Sequence, residues 1–120
     1  MFATQKEIDL YTRMTLKQWG MSHLKIEWID APRRWLGAAY VYQKKIQLTT
    51  AILVSFKTFE EVLKHEVAHH IQFSRNGNRW LTTKKGRNSF HGKDFAAVCK
   101  EMGIPARTHI PLPTTRYIYA

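Results

Sequence analysis

Apolar side chains recur with helical spacing in three stretches of the chain, and each stretch predicts a helix. The first covers about residues 5–19 and the second about 59–74, whereas the third begins at Phe90 or His91 and ends at Met102. The second stretch is apolar along one continuous face, which is typical of a helix packed on a core. We therefore expect about three helices, with the second at the centre of the fold.

Residues that favour helix ends flank the first two stretches. Thr4 and Glu7 have the spacing of a capping box, and Thr58 and Glu61 have the same spacing at the start of the second stretch. Gly20 follows the first stretch, where a glycine can take the left-handed conformation that ends a helix. These signals define the expected helix boundaries.

Three short stretches between the first two helices have the character of strands. They cover 24–28, 37–42 and 44–50, and they predict a small three-stranded sheet. Because only Gln43 and Lys44 join the last two strands, these strands are expected to pair antiparallel. Helices and sheet together predict an α+β domain.

The length of 120 residues is enough for one domain, and no linker or repeat divides the chain. We expect residues 1–120 to form that domain, with an extended tail from residue 104. The single cysteine excludes an internal disulfide and a cysteine-rich zinc ribbon. No apolar run reaches the roughly 18 residues of a membrane helix, and the start lacks a signal-peptide pattern. We expect a soluble, cytoplasmic protein (in the host cytoplasm if a phage or plasmid encodes it) with no membrane partner.

The chain is strongly basic, because 19 lysines and arginines stand against nine acidic residues. The formal net charge is +10 and the pI is near 10.0. A domain this basic commonly binds a polyanion, usually nucleic acid. The alternative is that the charge serves solubility alone.

The second predicted helix contains the sequence His65-Glu66-Val67-Ala68-His69. Residues four apart on a helix lie one turn apart on the same face, so the imidazoles of His65 and His69 can bind one zinc ion. Glu66 lies beside them and can act as a general base toward water at the metal. The pattern predicts a zinc-dependent hydrolase, against the alternative of a chance match.

A catalytic zinc ion usually has three protein ligands, and four further histidines are available. His23 precedes the first strand and is remote from the motif, and His70 points into the apolar stripe, where it is expected in the core. His109 lies in the proline-rich tail. His91 matches the apolar face of the last helix and is expected to face the second helix. His91 is therefore the favoured third ligand, with His109 or an acid as the alternative.

The motif from His65 to His69, followed by His91-Gly92-Lys93-Asp94-Phe95, resembles the SprT-like metalloprotease domain. In that family HExxH is followed by a variable loop and then by H-G-x-x-F or H-G-x-x-W at the start of a helix. The resemblance covers about residues 5–103. It implies a minimal zincin-like fold with one zinc ion per chain, held by His65, His69 and His91, with Glu66 as the catalytic residue.

The resemblance also implies a function. Eukaryotic members of the family, such as Spartan, cleave proteins crosslinked to DNA, so a zinc metalloendopeptidase acting on DNA-associated or DNA-crosslinked proteins is implied. Either Tyr40 or Tyr42 is a candidate donor to the transition state near the zinc. The alternative is a non-enzymatic, basic nucleic-acid-binding protein with a structural metal site. Glu66 favours the enzyme, because a structural site has no use for a general base.

The stretch between the second and third histidines is rich in basic residues and contains no acid. Its basic side chains can neutralise phosphates, and an exposed tryptophan can stack on an unpaired base, which favours single-stranded DNA. The alternative is a solvated loop with the tryptophan packed inward. The predicted nucleic-acid contacts are Arg75, Arg79, Trp80, Lys84, Lys85, Arg87 and Lys93.

Overall fold

The computed structural model describes residues 3–30, 36–76, 92–107, 109–111 and 116–118. In these ranges three α-helices and a three-stranded mixed sheet form an α+β domain, as the sequence pattern predicts. This set of elements agrees with the expected minimal zincin-like domain. Within the same ranges, no helix is both long enough and apolar enough to cross a membrane.

The first helix, α1, spans Gln5–Gln18 and agrees with its predicted bounds. The Thr4 hydroxyl accepts a hydrogen bond from the Glu7 amide at 3.2 Å, and the Glu7 carboxylate accepts one from the Thr4 amide at 2.9 Å. These two bonds confirm the capping box. Gly20 follows the helix with a φ of +70°, the left-handed conformation expected there.

The second helix, α2, spans Phe56–Asn76 and begins earlier than predicted. The Ser55 hydroxyl accepts a hydrogen bond from the Thr58 amide at 3.1 Å, so Ser55 caps the helix and Thr58 lies in its first turn. The predicted Thr58–Glu61 capping box is therefore wrong, and Glu61 is buried instead. A short 3-10 helix, Thr50–Val54, leads from the sheet into α2.

The third helix, α3, spans Lys93–Met102. Its N-cap, Gly92, has an extended backbone, so the helix starts after Gly92. The predicted start at Phe90 or His91 is therefore wrong, and both of these residues lie outside the described ranges. The predicted apolar face is confirmed, because its members are buried: Phe95, Val98, Cys99 and Met102.

The sheet contains β1 (Lys25–Ile29), β2 (Gly37–Tyr40) and β3 (Lys45–Thr49). Its strand order is β1-β3-β2, so β3 is central and β2 is an edge strand of the described sheet. β2 and β3 pair antiparallel, which confirms the prediction, whereas β1 pairs with β3 in parallel.

The segment after α3 is tied to α2 and then forms a second, smaller sheet. Arg107 donates two hydrogen bonds to the two carboxylate oxygens of Glu61, each 2.7 Å long. Beyond it, β4 (His109–Pro111) and β5 (Arg116–Ile118) pair antiparallel. The two described strands are extended, as expected for the tail, but their pairing was not predicted.

The core lies between the sheet and α2, with α3 packed against α2. Full burial of one large apolar side chain contributes about 1.5–3 kcal/mol to folding. This packing holds the middle of α2 between β2 and α3. The largest fully buried apolar residues are Ile8, Leu36, Ile46, Leu48, Ile52, Phe59, Leu63 and Phe95.

Candidate metal centre

The three chemically active residues of the motif lie together in the middle of α2. The candidate ligand atoms of His65, Glu66 and His69 all lie within 4.8 Å of one another. The two imidazole centroids are 5.0 Å apart, close to the 5.4 Å rise of one helical turn. Imidazole nitrogens and carboxylate oxygens are ordinary zinc ligands. We call these three residues the metal cluster.

The environment of Glu66 supports a cation at this position. The side chain is fully buried, at 0% exposure, and within the described ranges neither carboxylate oxygen has a hydrogen-bond partner. Burial raises the pKa of this carboxyl well above its usual range. A buried carboxylate is stabilised when it lies beside a cation or a metal. The residues present therefore fit a zinc ion bound by His65 and His69 with Glu66 alongside.

Phe95 of α3 forms an aromatic wall against both histidines. Its ring centroid is 4.4 Å from that of His69 in a stacked arrangement and 4.8 Å from that of His65 in an edge-on arrangement. Phe95 itself is buried. Because both imidazoles touch one rigid ring, α3 restricts their orientation. The docking of α3 thus shapes the metal cluster as well as the core.

Gly37, the first residue of β2, brings the edge strand against Glu66. A Cβ atom at this position would lie 3.1 Å from the Cγ and from the Oε2 of Glu66, and 3.1 Å from the Cγ1 of Val62. A Cβ atom at this position would therefore force its neighbours to shift by a few tenths of an ångström. A glycine inside a strand signals close contact with another part of the backbone or with a ligand, but sequence alone does not identify Glu66 as the partner.

The contact between Gly37 and Glu66 gives a testable expectation. Gly37→Ala should displace the Glu66 carboxylate by a few tenths of an ångström and overpack the site, at a cost of about 1–3 kcal/mol in unfolding free energy. Zinc affinity should stay near that of the parent protein, because the two histidines are not touched. Chemical denaturation and a zinc competition titration measure the two effects.

A double-mutant comparison separates this contact from a general effect of alanine in a strand. In a Glu66→Ala background two of the three crowded atoms are absent, so Gly37→Ala should destabilise the protein less than it does in the parent. Equal destabilisation in both backgrounds would show that Gly37 does not act through Glu66.

The predicted third ligand, His91, lies outside the described residues. The structure describes its neighbour Gly92 and the first turn of α3, in which Phe95 contacts His65 and His69. His91 therefore precedes, by four residues in sequence, a side chain that touches the metal cluster. The alternative ligand, His109, has a described backbone in β4 and no described side chain.

Two further histidines lie together, away from the metal cluster. His70 is buried, as predicted, and its Nε2 lies 3.0 Å from the backbone oxygen of Lys45. His23 is exposed and lines the same pocket as His70. The described metal cluster contains neither of them.

The two candidate tyrosines make other contacts. The hydroxyl of Tyr40 lies 3.5 Å from the side-chain oxygen of Gln47. Since side chains alternate along a strand, Tyr40 is on the sheet face opposite to Gly37. Tyr42 is 67% exposed, and its ring is 5.1 Å from that of Phe73. Tyr40 is therefore directed away from the face that contacts Glu66.

Of the seven residues predicted to contact nucleic acid, two lie in the described ranges. Lys93 is exposed at the start of α3. Arg75 is half-exposed, but it donates hydrogen bonds of 2.6 Å and 3.0 Å to the two carboxylate oxygens of Glu101, which raises its pKa. Sequence reasoning missed this partner, because the two residues are far apart in the chain. The other five lie outside the described ranges: Arg79, Trp80, Lys84, Lys85 and Arg87.

Glu61 was also missed as a residue that supports the site. It lies on α2 one turn before His65, its side chain is only 6% exposed, and Arg107 pairs with both of its oxygens. This bidentate pair is a strong, charge-assisted contact. It anchors the segment after α3 to the metal-bearing helix. The only signal in the sequence was an acid on the inward face of a helix, which demands a partner.

Comparison with known proteins agrees with this geometry. Searches of curated proteins and of solved structures found no match. The model of the SprT-like family matches residues 4–116, which include all three helices, both sheets as far as Arg116, and the metal cluster. The chain therefore belongs to the SprT-like family.

Proposed function

We propose that this protein is a zinc-dependent endopeptidase that hydrolyses proteins associated with or crosslinked to DNA. The observation that carries the proposal is the metal cluster, in which a buried glutamate lies between two histidines one helical turn apart. A carboxylate beside two metal ligands is the arrangement required for general-base catalysis at a metal. Membership of the SprT-like family supports the same class of activity.

Each residue has a separate role in the proposed reaction. His65 and His69 hold zinc, which when bound supplies Lewis-acid chemistry that polarises a carbonyl and acidifies water. His91 completes the ligand set in this proposal. Glu66 accepts a proton from the attacking water and then donates it to the leaving amine. Phe95 and Gly37 keep the reacting side chains in their positions by close packing.

The edge strand β2 supports a peptide as the substrate. β2 pairs with β3 on one side in the described sheet, and its first residue touches Glu66. An extended peptide can add to such an edge through main-chain hydrogen bonds. A substrate strand bound along β2 would therefore have its backbone beside the general base.

The test is hydrolysis of an unfolded protein by the zinc-loaded chain. We expect cleavage products by gel electrophoresis and mass spectrometry, their loss when a chelator removes the metal, and their return when zinc is restored. Addition of single-stranded DNA should accelerate cleavage of a DNA-bound protein. The absence of cleavage under all of these conditions would reject the peptidase.

The distribution of charge supports nucleic acid as a partner. The segments 31–35 and 77–91 contain six basic residues and none of the nine acidic residues of the chain. In the chain, the first segment directly precedes Leu36 and Gly37, and the second directly precedes Gly92. The first segment thus ends two residues before Gly37, which lies against Glu66, and the second ends four residues before Phe95, which contacts both histidines. We propose that they draw a polyanion, preferentially single-stranded DNA, toward the site.

Replacement of basic residues in the second segment tests this proposal. The triple variant Lys84→Ala, Lys85→Ala and Arg87→Ala should bind single-stranded DNA more weakly. Its plot of log affinity against log salt should also be shallower, by about 0.7 for each phosphate that is no longer neutralised. Trp80→Ala should weaken binding by about 1–3 kcal/mol with little change in slope, if Trp80 stacks on a base.

A matched control removes the same charge from elsewhere. The exposed residues Lys6, Lys57 and Lys100 belong to the three described helices, and their triple alanine variant has the same net charge as the test variant. Fluorescence anisotropy over a range of salt concentrations compares the two. Equal losses of affinity would assign the effect to net charge and reject a specific role for the segment.

The burial of the metal cluster supports a second candidate function. His65 and Glu66 are both 0% exposed, and structural metal sites are closed to solvent, whereas catalytic sites keep an open position. A basic nucleic-acid-binding protein with a structural metal would have such a site. It would bind zinc and DNA and cleave nothing, so the hydrolysis experiment distinguishes the two candidates.

A further inference from the structure

A second concave site lies beside the C-terminal part of α2. It is a pocket of about 280 Å³ between the last turns of α2, the turn that joins β2 to β3, and the segment before β1. Met21, Val41 and Phe73 form its apolar part. Its polar lining consists of His23, Lys44, His70 and Ser74. We call it the His23–Lys44 pocket.

The backbone holds part of this pocket in a defined conformation. His70 is buried, and its Nε2 is 3.0 Å from the carbonyl oxygen of Lys45. A carbonyl oxygen only accepts hydrogen bonds, so Nε2 donates and the ring orientation is set. The pocket thus contains one imidazole fixed by the sheet, while the exposed His23 lines the same space.

Lys44 has an unusual backbone conformation at the pocket. Its φ is +52°, and within the described ranges it is the only non-glycine residue with a positive φ. Its carbonyl oxygen accepts a hydrogen bond of 3.0 Å from the Lys25 amide, which holds the turn in place. A lysine incurs a steric penalty in the left-handed region, and such residues are concentrated at functional sites. The lysine side chain is therefore presented from a constrained turn.

The chemistry of the lining indicates an anion as the ligand. Lys44 offers an ammonium group, His23 an imidazole N–H and Ser74 a hydroxyl, and among the described residues no carboxylate lines the pocket. The positive ammonium group of Lys44 would repel a divalent metal ion, so the lysine beside the two histidines disfavours a metal as the ligand. Three donors of this kind suit phosphate oxygens. The carbonyl end of α2 opposes an anion here, so binding depends on the lysine and the histidine.

We infer that the His23–Lys44 pocket binds a phosphate group, with the backbone of single-stranded DNA as its source. The identity of the source rests on the proposed function, whereas the phosphate chemistry rests on the pocket alone. Ser74 precedes the basic segment 77–91 by three residues. A phosphate held in this pocket would therefore place the strand at the start of that segment.

The glycine variant Lys44→Gly gives a sharp test. It removes the ammonium group, and glycine accepts a φ of +52° without strain, so the fold should be kept. We expect roughly tenfold weaker binding of inorganic phosphate, as for loss of one charged hydrogen bond. The plot of log affinity for oligothymidine against log salt should become shallower, with a slope less negative by about 0.7. His23→Gln should weaken both ligands, and Lys57→Ala, with the same net charge as Lys44→Gly, should leave phosphate affinity unchanged.

The experiment uses the full chain, and NMR follows the amides of His23, Lys44 and Ser74 during titration with inorganic phosphate and, separately, with oligothymidine. Shifts with both ligands that Lys44→Gly abolishes would support the inference in full. Shifts with phosphate alone would support a pocket for free phosphate and would overturn the inference that the backbone of DNA supplies the phosphate group. This result would not bear on hydrolysis at the metal centre, which is tested separately. No shift with either ligand, or equal losses in Lys44→Gly and Lys57→Ala, would overturn the inference.

Discussion

Replacing Glu66 with glutamine is expected to lower the rate of peptide hydrolysis by about 10²–10⁴-fold while zinc stays bound. Glutamine closely matches the size of glutamate, so the close contacts with Gly37 and Val62 should be kept. It cannot accept a proton from water, and only the chemical step should therefore suffer. The effect should appear in kcat and in kcat/KM to a similar degree, because the lost interaction belongs to the transition state.

A surface variant provides the control for this expectation. Glu101→Gln removes the same charge from an exposed residue of α3 that pairs with Arg75, so hydrolysis should stay near the parent rate. Zinc content, measured by mass spectrometry of the intact holoprotein, should be equal in both variants. A Glu66→Gln protein that cleaves as fast as the parent would exclude Glu66 as the general base. In that case the structural-metal alternative would also gain no support, because cleavage would persist.

Replacing His91 with alanine is expected to weaken zinc binding by more than the 10–100-fold that loss of an outer-shell partner typically costs. Zinc would then have only His65 and His69 as nitrogen ligands, short of the three protein ligands that catalytic sites usually have. Phe95 keeps both remaining imidazoles in place, so the loss should reflect the missing ligand. Competition with a coloured chelator measures the change in zinc affinity.

Two other histidine variants test this assignment against its alternatives. His109→Ala should bind zinc as the parent does, and so should His23→Gln, because His23 lines a different pocket. Circular dichroism should show the same helix content in all three proteins. If His91→Ala kept full zinc affinity while His109→Ala lost it, the third ligand would be His109. If both kept it, an acidic residue would be the remaining candidate.

Local sequence was sufficient to predict the parts of the site that lie on one helix. His65 and His69 are four residues apart, and helical geometry alone brings their imidazoles to one face. The capping box of Thr4 and Glu7 was likewise predicted, since its partners are three residues apart. The start of α2 was not, because the sequence analysis placed the cap at Thr58, whereas in the structure Ser55, which directly follows the 3-10 helix, caps α2.

Contacts between distant residues could not be read from the sequence. The pairs Glu61–Arg107 and Arg75–Glu101 each join parts of the chain that are far apart in sequence, and the packing of the whole core brings them together. The prediction for Arg75 considered only its neighbours in sequence, where no acid is present. In the folded chain Glu101 of α3 accepts hydrogen bonds from Arg75, so Arg75 is less available to bind a phosphate of nucleic acid.

The sequence by itself determined the α+β class, the metal cluster on α2 and the basic character of the chain, because periodicity, residue spacing and composition are local or additive properties. Tertiary structure alone decided that Gly37 lies against Glu66, that Phe95 touches both histidines, and that His23 and His70 share a pocket. These contacts depend on how the sheet and α3 pack against α2. Packing is a collective result of many small dispersion and burial terms, and no short pattern in the chain encodes it.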